Sequence, residues 1–193
     1  MKLNGFNKIK TAVFISGNGT NLRSLIKYSL LRNSKFSINL IISNNYKAKG
    51  LQYGNRFKIK KKIINYKNVK KAEKEINKSL KENKIQLICL AGFMKILTKN
   101  FIKKFKGKIV NIHPSLLPKY KGLNTHERVL QNKEKYSGCT VHYVNSRLDS
   151  GKIILQAKVK ISKKDTSSSL KKKILKQEHL LYRKAIKKVF FSL

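Results

Sequence analysis

The apolar and polar positions of this chain follow two periods that alternate along its length. Short apolar runs read as strands: "TAVFIS" (11–16), "SINLIIS" (37–43), "IQLICLAGF" (85–93), "KIVNIH" (108–113), "CTVHYVN" (139–145) and "KIILQAKVKI" (152–161), with a weaker one near 59–65. Between them the spacing changes to that of a helix face. "NLRSLIKYSLLRN" (21–33) places Leu22, Leu25, Ile26 and Leu30 on one side. Further helices are expected near 47–57, over the charged stretch "VKKAEKEINKSLKEN", and briefly at "TKNFIKKFK" and "THERVLQN". A long final helix runs from about Thr166 to Phe191 with an apolar seam at Leu170, Ile174, Leu181, Ala185 and Val189. Glu178 fills the one charged slot of that seam, and an inward carboxylate usually has a partner.

Strand and helix repeated in this way predict an α/β fold. The expected form is a single Rossmann-like, three-layer domain. Its sheet is mostly parallel but mixed, with about seven strands, and its last helix is long. The last two strands flank the turn "SRLDSGK" and can pair as a hairpin, which makes the sheet mixed. No linker or internal repeat divides the 193 residues, a length suited to one core.

Composition refines the picture. Hydrophobic residues make up 40%, with 8 Tyr and 9 Phe, so the chain can bury a core despite its charge. No run approaches the roughly 18 apolar residues of a membrane span, and "MKLNGFNKIKTAVFIS" is too short in apolar residues for a signal peptide. Cys89 and Cys139 lie in apolar runs and read as buried, inert thiols; no metal-type spacing exists, and a reducing, cytoplasmic compartment follows. The net charge of +38 would ordinarily suggest nucleic acid. Yet six of the 46 basic residues are Arg and forty are Lys, whereas nucleic-acid surfaces draw on Arg for bidentate contacts. Lys rises together with Asn and Ile, all A- and T-rich in their codons, so drift in an AT-rich genome explains the excess. The field would still draw in small polyanions.

Ligands of such a fold bind at the carboxyl ends of its strands, which ranks the loops. "SGNGTN" follows the first strand and opens a helix. Gly17 and Gly19 permit a tight turn, and N–H groups near Gly19, Thr20 and Asn21 would face an anion. The spacing matches neither the dinucleotide fingerprint nor the nucleoside-triphosphate loop, so one small phosphate fits better. A plain glycine turn with Asn21 capping the helix is the competing reading. "NIHPSLLP" also ends a strand. Asn111 and His113, two apart, point to one face. Pro114 and Pro118, the only prolines, would stiffen the loop beyond them, and Pro118 is a candidate for a cis bond. Asp149, one of two Asp in the chain, lies in the turn before the last strand. There it can pair with His113 and favour the charged ring, or form an ordinary Asx turn. Glu178 can hold a substrate amine or bridge to a Lys or Arg.

These segments, "FISGNGTNL", "LAGFMKIL", "NIHPSLLPKYKGLNTHE", "GCTVHYV" and "LDSGKIILQAKV", together resemble the glycinamide ribonucleotide formyltransferases, folate-dependent enzymes of purine synthesis. The likeness spans nearly the whole chain and keeps the motif order. It implies transfer of a formyl group from 10-formyltetrahydrofolate, as co-substrate and without a metal, to the amine of glycinamide ribonucleotide. It implies a catalytic trio of Asn111, His113 and Asp149. It implies ribose-phosphate binding at Gly19, Thr20 and Asn21, with Glu178 near the substrate amine. Met94, Lys95, Ile96 and Leu97, with Asn111 and a loosely aligned Lys70, would form the folate side. A division into a phosphate-binding half (about 8–110) and a catalytic half (about 111–193) follows. The implied partners are small molecules, with no specific nucleic acid and no membrane, in a monomer or homodimer.

Lys121, Gly122, Leu123 and Asn124 depart from the Pro-Gly-x-His that many bacterial members carry, and Lys95 stands where Arg is common. The chain stops at Leu193, so a trimmed enzyme is expected. Methionyl-tRNA formyltransferase shares the Asn-x-His-Pro and Asp pattern but needs a further domain. Formyltetrahydrofolate hydrolase typically carries His at the position of Pro114. An RNA-binding scaffold built on the lysines would have no reason to keep the trio intact.

Overall fold

The structure, a computed structural model, describes residues 8–190. The elements run β1 (Ile9–Ile15), α1 (Thr20–Ser29), β2 (Phe36–Ser43), a 3-10 turn (Lys49–Leu51) leading into α2 (Gln52–Arg56), β3 (Lys60–Ile63), α3 (Val69–Glu82), β4 (Leu87–Leu90), α4 (Lys99–Lys104), β5 (Lys108–His113), α5 (Thr125–Gln131), β6 (Tyr136–Tyr143), β7 (Ile153–Lys160) and α6 (Ser167–Phe190). All seven strands join one sheet in the order β3-β2-β1-β4-β5-β6-β7. The first five are parallel, and β6 and β7 each run antiparallel to the strand before. The mostly parallel, mixed sheet and its closing hairpin are as the sequence predicts.

Strands covered on both faces must be apolar, and β4 is throughout, as is β1 from Ala12 to Ile15. Alternation along β1 sends Ala12 and Phe14 to one core with Ile76, Leu80 and Phe101, beneath α3 and α4. Val13 and Ile15 go to the other, with Leu22, Leu25, Leu170, Tyr182 and Val189, beneath α1 and α6. Tyr182, wholly buried, donates its hydroxyl to the carbonyls of Leu90 (2.9 Å) and Val110 (3.2 Å), fastening α6 to β4 and β5.

Three boundaries differ from expectation. Helix α1 stops at Ser29, so Leu30 becomes its cap residue and is 66% exposed instead of joining the buried face. Strand β4 ends at Leu90 because Gly92 turns the chain at φ 74°. Strand β6 begins at Tyr136, where pairing of Tyr136–Gly138 with β7 carries the ladder into polar sequence. The signal-peptide reading of the first residues, through residue 7, and the helix end at Phe191 lie outside the described residues. Among the described residues no helix is long and apolar enough to cross a membrane. Cys89 and Cys139 are buried free thiols, both pushed up to about 12 by burial, which keeps them unreactive.

From the adjacent pair β1 and β4 the chain winds outward both ways, through β2 to β3 and through β5 to β7. The loops after β1 and β4 therefore leave in opposite directions and open a crevice at the carboxyl edge.

Candidate active site

The β1 loop enters α1 through Gly19, whose left-handed φ of 68° makes it the helix N-cap. A side chain there would place its Cβ 2.7 Å from the Cα of Gly50, whose own N–H donates to the Gly17 carbonyl at 3.0 Å. Two glycines thus let two loops touch. The N–H groups of Thr20 and Asn21, in the first turn, have no intrahelical acceptor and stand at the positive end of α1. Asn21 does not cap the helix. Its Nδ2 donates to Glu178 Oε2 at 2.7 Å, and its Oδ1 is buried without a partner. The partner of Glu178 is therefore this amide and not a Lys or Arg. Burial lifts the Glu178 carboxyl above the usual range, partly offset by the Asn21 bond.

Ser16 joins the two sides of the crevice. Its N–H donates to the Gly92 carbonyl (3.1 Å), and its hydroxyl accepts from the Met94 N–H (2.7 Å) while donating to Asn44 Oδ1 (2.5 Å). Beyond it Met94 and Ile96 are 61% and 73% exposed, Lys95 is exposed, and Leu97 is buried. Two large apolar side chains held in water by a tethered loop make a wall for a flat, apolar ligand. Lys70 is exposed in the first turn of α3, on a different element from Met94–Leu97.

Strand β5 aims Asn111 and His113 to one side, and Asp149 faces both. The Asp149 carboxylate is 3.4 Å from His113 Nδ1 through Oδ2 and 3.5 Å from Asn111 Nδ2 through Oδ1. Oδ2 also accepts from the Gly122 N–H at 2.9 Å, which ties the Pro loop to the β6–β7 turn. Asp149 adopts φ 45°, so its carboxyl turns into the site instead of closing an Asx turn. Gly151 fits beneath Tyr143 because any Cβ would strike that carbonyl at 1.7 Å. His113 Nε2 donates to the Tyr120 carbonyl at 2.8 Å. Both ring nitrogens thus face acceptors within the protein.

Three further residues complete the cluster. His142 lies directly opposite Asn111 in the β5–β6 ladder. Its Nδ1 donates to the Tyr143 carbonyl (2.8 Å), leaving Nε2 to accept from Asn111 Nδ2 at 3.2 Å. Burial, opposed by the Tyr143 bond and Asp149, pulls His142 below the usual imidazole range, in keeping with a neutral ring. Thr140, opposite His113, holds the Pro loop: its hydroxyl donates to the Ser115 carbonyl (2.6 Å) and accepts from the Leu117 N–H (3.1 Å). Gln156 Nε2 donates to the Leu117 carbonyl at 2.8 Å, and the Leu117–Pro118 bond is cis. The structure thus brings Asn111, His113 and Asp149 together and adds His142, Thr140 and Gln156 as their supports.

A family model described as "Formyl transferase" matches residues 9–186. The chain belongs to the formyl transferase family. Its match runs from the first residue of β1 into α6, so the loop after β1 and the cluster around Asp149 of this formyl transferase lie inside one family unit. The chain is 41% identical to the phosphoribosylglycinamide formyltransferase of Haemophilus influenzae, covering 92% of this chain and 85% of that one. It is also 41% identical to the human trifunctional purine biosynthetic protein adenosine-3, but spans only 18% of that protein's length. Among solved structures, the phosphoribosylglycinamide formyltransferase of Anaplasma phagocytophilum superposes with a TM-score of 0.91 at 39% identity, over 96% of this chain and 88% of that one. That of Brucella melitensis gives 0.91 at 36% identity, over 95% and 96%.

Proposed function

We propose that this chain transfers the formyl group of 10-formyltetrahydrofolate to the amine of glycinamide ribonucleotide, giving formylglycinamide ribonucleotide in purine biosynthesis. The observation that carries the reading is the convergence of an amide, an imidazole and a carboxylate at one sheet edge, with Asp149 within 3.5 Å of both Asn111 and His113. The relatives named above as phosphoribosylglycinamide formyltransferases share nearly the whole chain, which supports that acceptor. The phosphate-binding half, about 8–110, takes the ribose phosphate on the N–H groups of Gly19, Thr20 and Asn21, with Glu178 behind Asn21 and toward the amine. Met94, Lys95, Ile96 and Leu97 bind the folate, with Lys70 at the rim. The catalytic half, about 111–193, carries the chemistry.

In this reading the amine attacks the formyl carbon, and the carbonyl oxygen gains charge as the tetrahedral intermediate forms. Asn111 donates to that oxygen the N–H that its long 3.5 Å contact with Asp149 Oδ1 gives up, while His142 fixes the orientation of the amide. His113 contributes its Nε2–H once the Tyr120 carbonyl yields it, since both ring nitrogens are engaged within the protein in this structure. Asp149 balances the charge of His113 and takes part in moving the proton from the amine to the folate nitrogen as the old carbon–nitrogen bond breaks. The test is acceptor choice, followed by the absorbance change of the folate product. Glycinamide ribonucleotide should support turnover and aminoacylated initiator tRNA should not. Transfer to the tRNA alone would overturn the reading.

A further inference from the structure

The segment assigned to the folate, Met94–Leu97, lies between two anchored residues. Before it, the Phe93 ring packs edge-on against Phe14 at 5.3 Å and Tyr66 at 5.7 Å. After it, Thr98 is gripped by a side chain of another element. Glu73, in α3, accepts from the Thr98 N–H through Oε1 at 2.7 Å and from the Thr98 hydroxyl through Oε2 at 2.5 Å. The same hydroxyl accepts from the Phe101 N–H at 3.1 Å and so caps α4. Its single proton is therefore committed to Glu73.

Nothing in the composition favours an acid at this place. Glu73 is one of eight carboxylates set against 46 basic residues, and it is buried. It lines a cleft between α3 and α4 whose other charged residues are six lysines. Among the described residues none of them pairs with it. A buried carboxylate without a cation is destabilising unless donors satisfy it. Here both donors come from one residue, Thr98, at the end of one loop. Within that loop Lys95 and Ile96 are exposed, and their side chains gain little from packing. The loop's shape therefore comes from its ends: Ser16 at the Met94 N–H and Glu73 at Thr98.

We infer that Glu73 is a positioning residue for the folate side of the site, an inference that rests on the function proposed above. It acts through Thr98, holding the exposed part of the Met94–Leu97 segment in the shape that the folate meets. A loop already in that shape need not be ordered when the ligand arrives. With the anchor cut, the ordering is paid at binding and appears as weaker affinity. The loss falls on the folate. The ribonucleotide, held at the loop after β1, and the chemistry around Asp149 are spared.

The test is steady-state kinetics with each substrate varied in turn. Glu73→Ala should raise the KM for 10-formyltetrahydrofolate about tenfold. The KM for glycinamide ribonucleotide and kcat should stay within about twofold of the parent. Glu73→Gln should recover part of the loss, since its carbonyl can take the Thr98 N–H and its amide can donate to the hydroxyl oxygen. Thr98→Val cuts the same contact from the other side and should also raise the folate KM alone, which keeps the inference testable if Glu73→Ala does not fold. The double variant Glu73→Ala/Thr98→Val should be no worse than the more impaired single variant, because both remove one contact. A parental folate KM in Glu73→Ala or Thr98→Val would overturn the role of Glu73 while leaving formyl transfer intact. So would equal rises in KM for both substrates, or additive losses in the double variant. Absence of transfer to glycinamide ribonucleotide by the parent would overturn the functional reading and the inference with it.

Discussion

Asp149 serves three groups with two oxygens, His113 and Gly122 through Oδ2 and Asn111 through Oδ1, while His142 Nε2 stands 3.7 Å from Oδ1. That crowding makes His142 a positioning residue, since its neutral Nε2 is what turns the Asn111 amide. His142→Ala should lower kcat at least about tenfold, by leaving the oxyanion donor misaimed, with both KM values nearly unchanged. His142→Gln, whose carbonyl can accept from Asn111, should recover part of the loss. An unaltered kcat in the alanine variant would remove His142 from the site. At this scale the sequence shows some residues and hides others. Asn111 and His113 are legible because they sit two apart on one strand. Asp149 is legible because aspartate is so rare here. His142 and Thr140 owe their roles to lying opposite Asn111 and His113, and cross-strand register cannot be read from one strand. The available signal is two polar residues, two apart, in the otherwise apolar run "CTVHYV".

At the scale of elements, α1 and α6 are clasped by Asn21 and Glu178, and the clasp has a pH signature. Because burial raises the folded-state pKa of Glu178, its contribution to stability is present below the ordinary value of 4.5 and is lost as pH rises through the folded value. Glu178→Gln carries no charge and can also donate to the unpartnered Asn21 Oδ1. The variant should match the parent in Tm near pH 4.5 and exceed it as pH rises through the folded-state value, in calorimetric scans, while requiring more ribonucleotide for half-saturation. A Tm difference that stays flat with pH would mean that the carboxylate is not destabilised by its surroundings. The periodicity of α6 exposes Glu178 as an intruder in an apolar seam but does not name its partner. Asn21 looks like a cap because capping is the common role of Asn beside a helix start; here left-handed Gly19 takes that position and frees the amide. Leu30 misleads for a related reason: the helical spacing continues past the residue where the hydrogen bonds stop.

For the molecule as a whole, alternating strand and helix periods reveal a doubly wound sheet, whereas strand order does not follow from them. That β4 lies beside β1 is a property of crossover connections, and this adjacency sets the loops after β1 and β4 side by side with Ser16 between them. The charge of +38 is likewise visible only as a sum until the fold sorts it. Most lysines face open solvent, while six line one cleft between α3 and α4. The central claim is that one cluster, anchored on Asp149, passes a formyl group between two bound molecules. Its most direct test is a single-turnover transfer experiment on the parent chain and on Asp149→Asn, with both substrates saturating and their affinities measured separately. The account predicts transfer to glycinamide ribonucleotide by the parent and a rate at least about a hundredfold lower in the variant, with affinities preserved. Equal rates in the two proteins would contradict it.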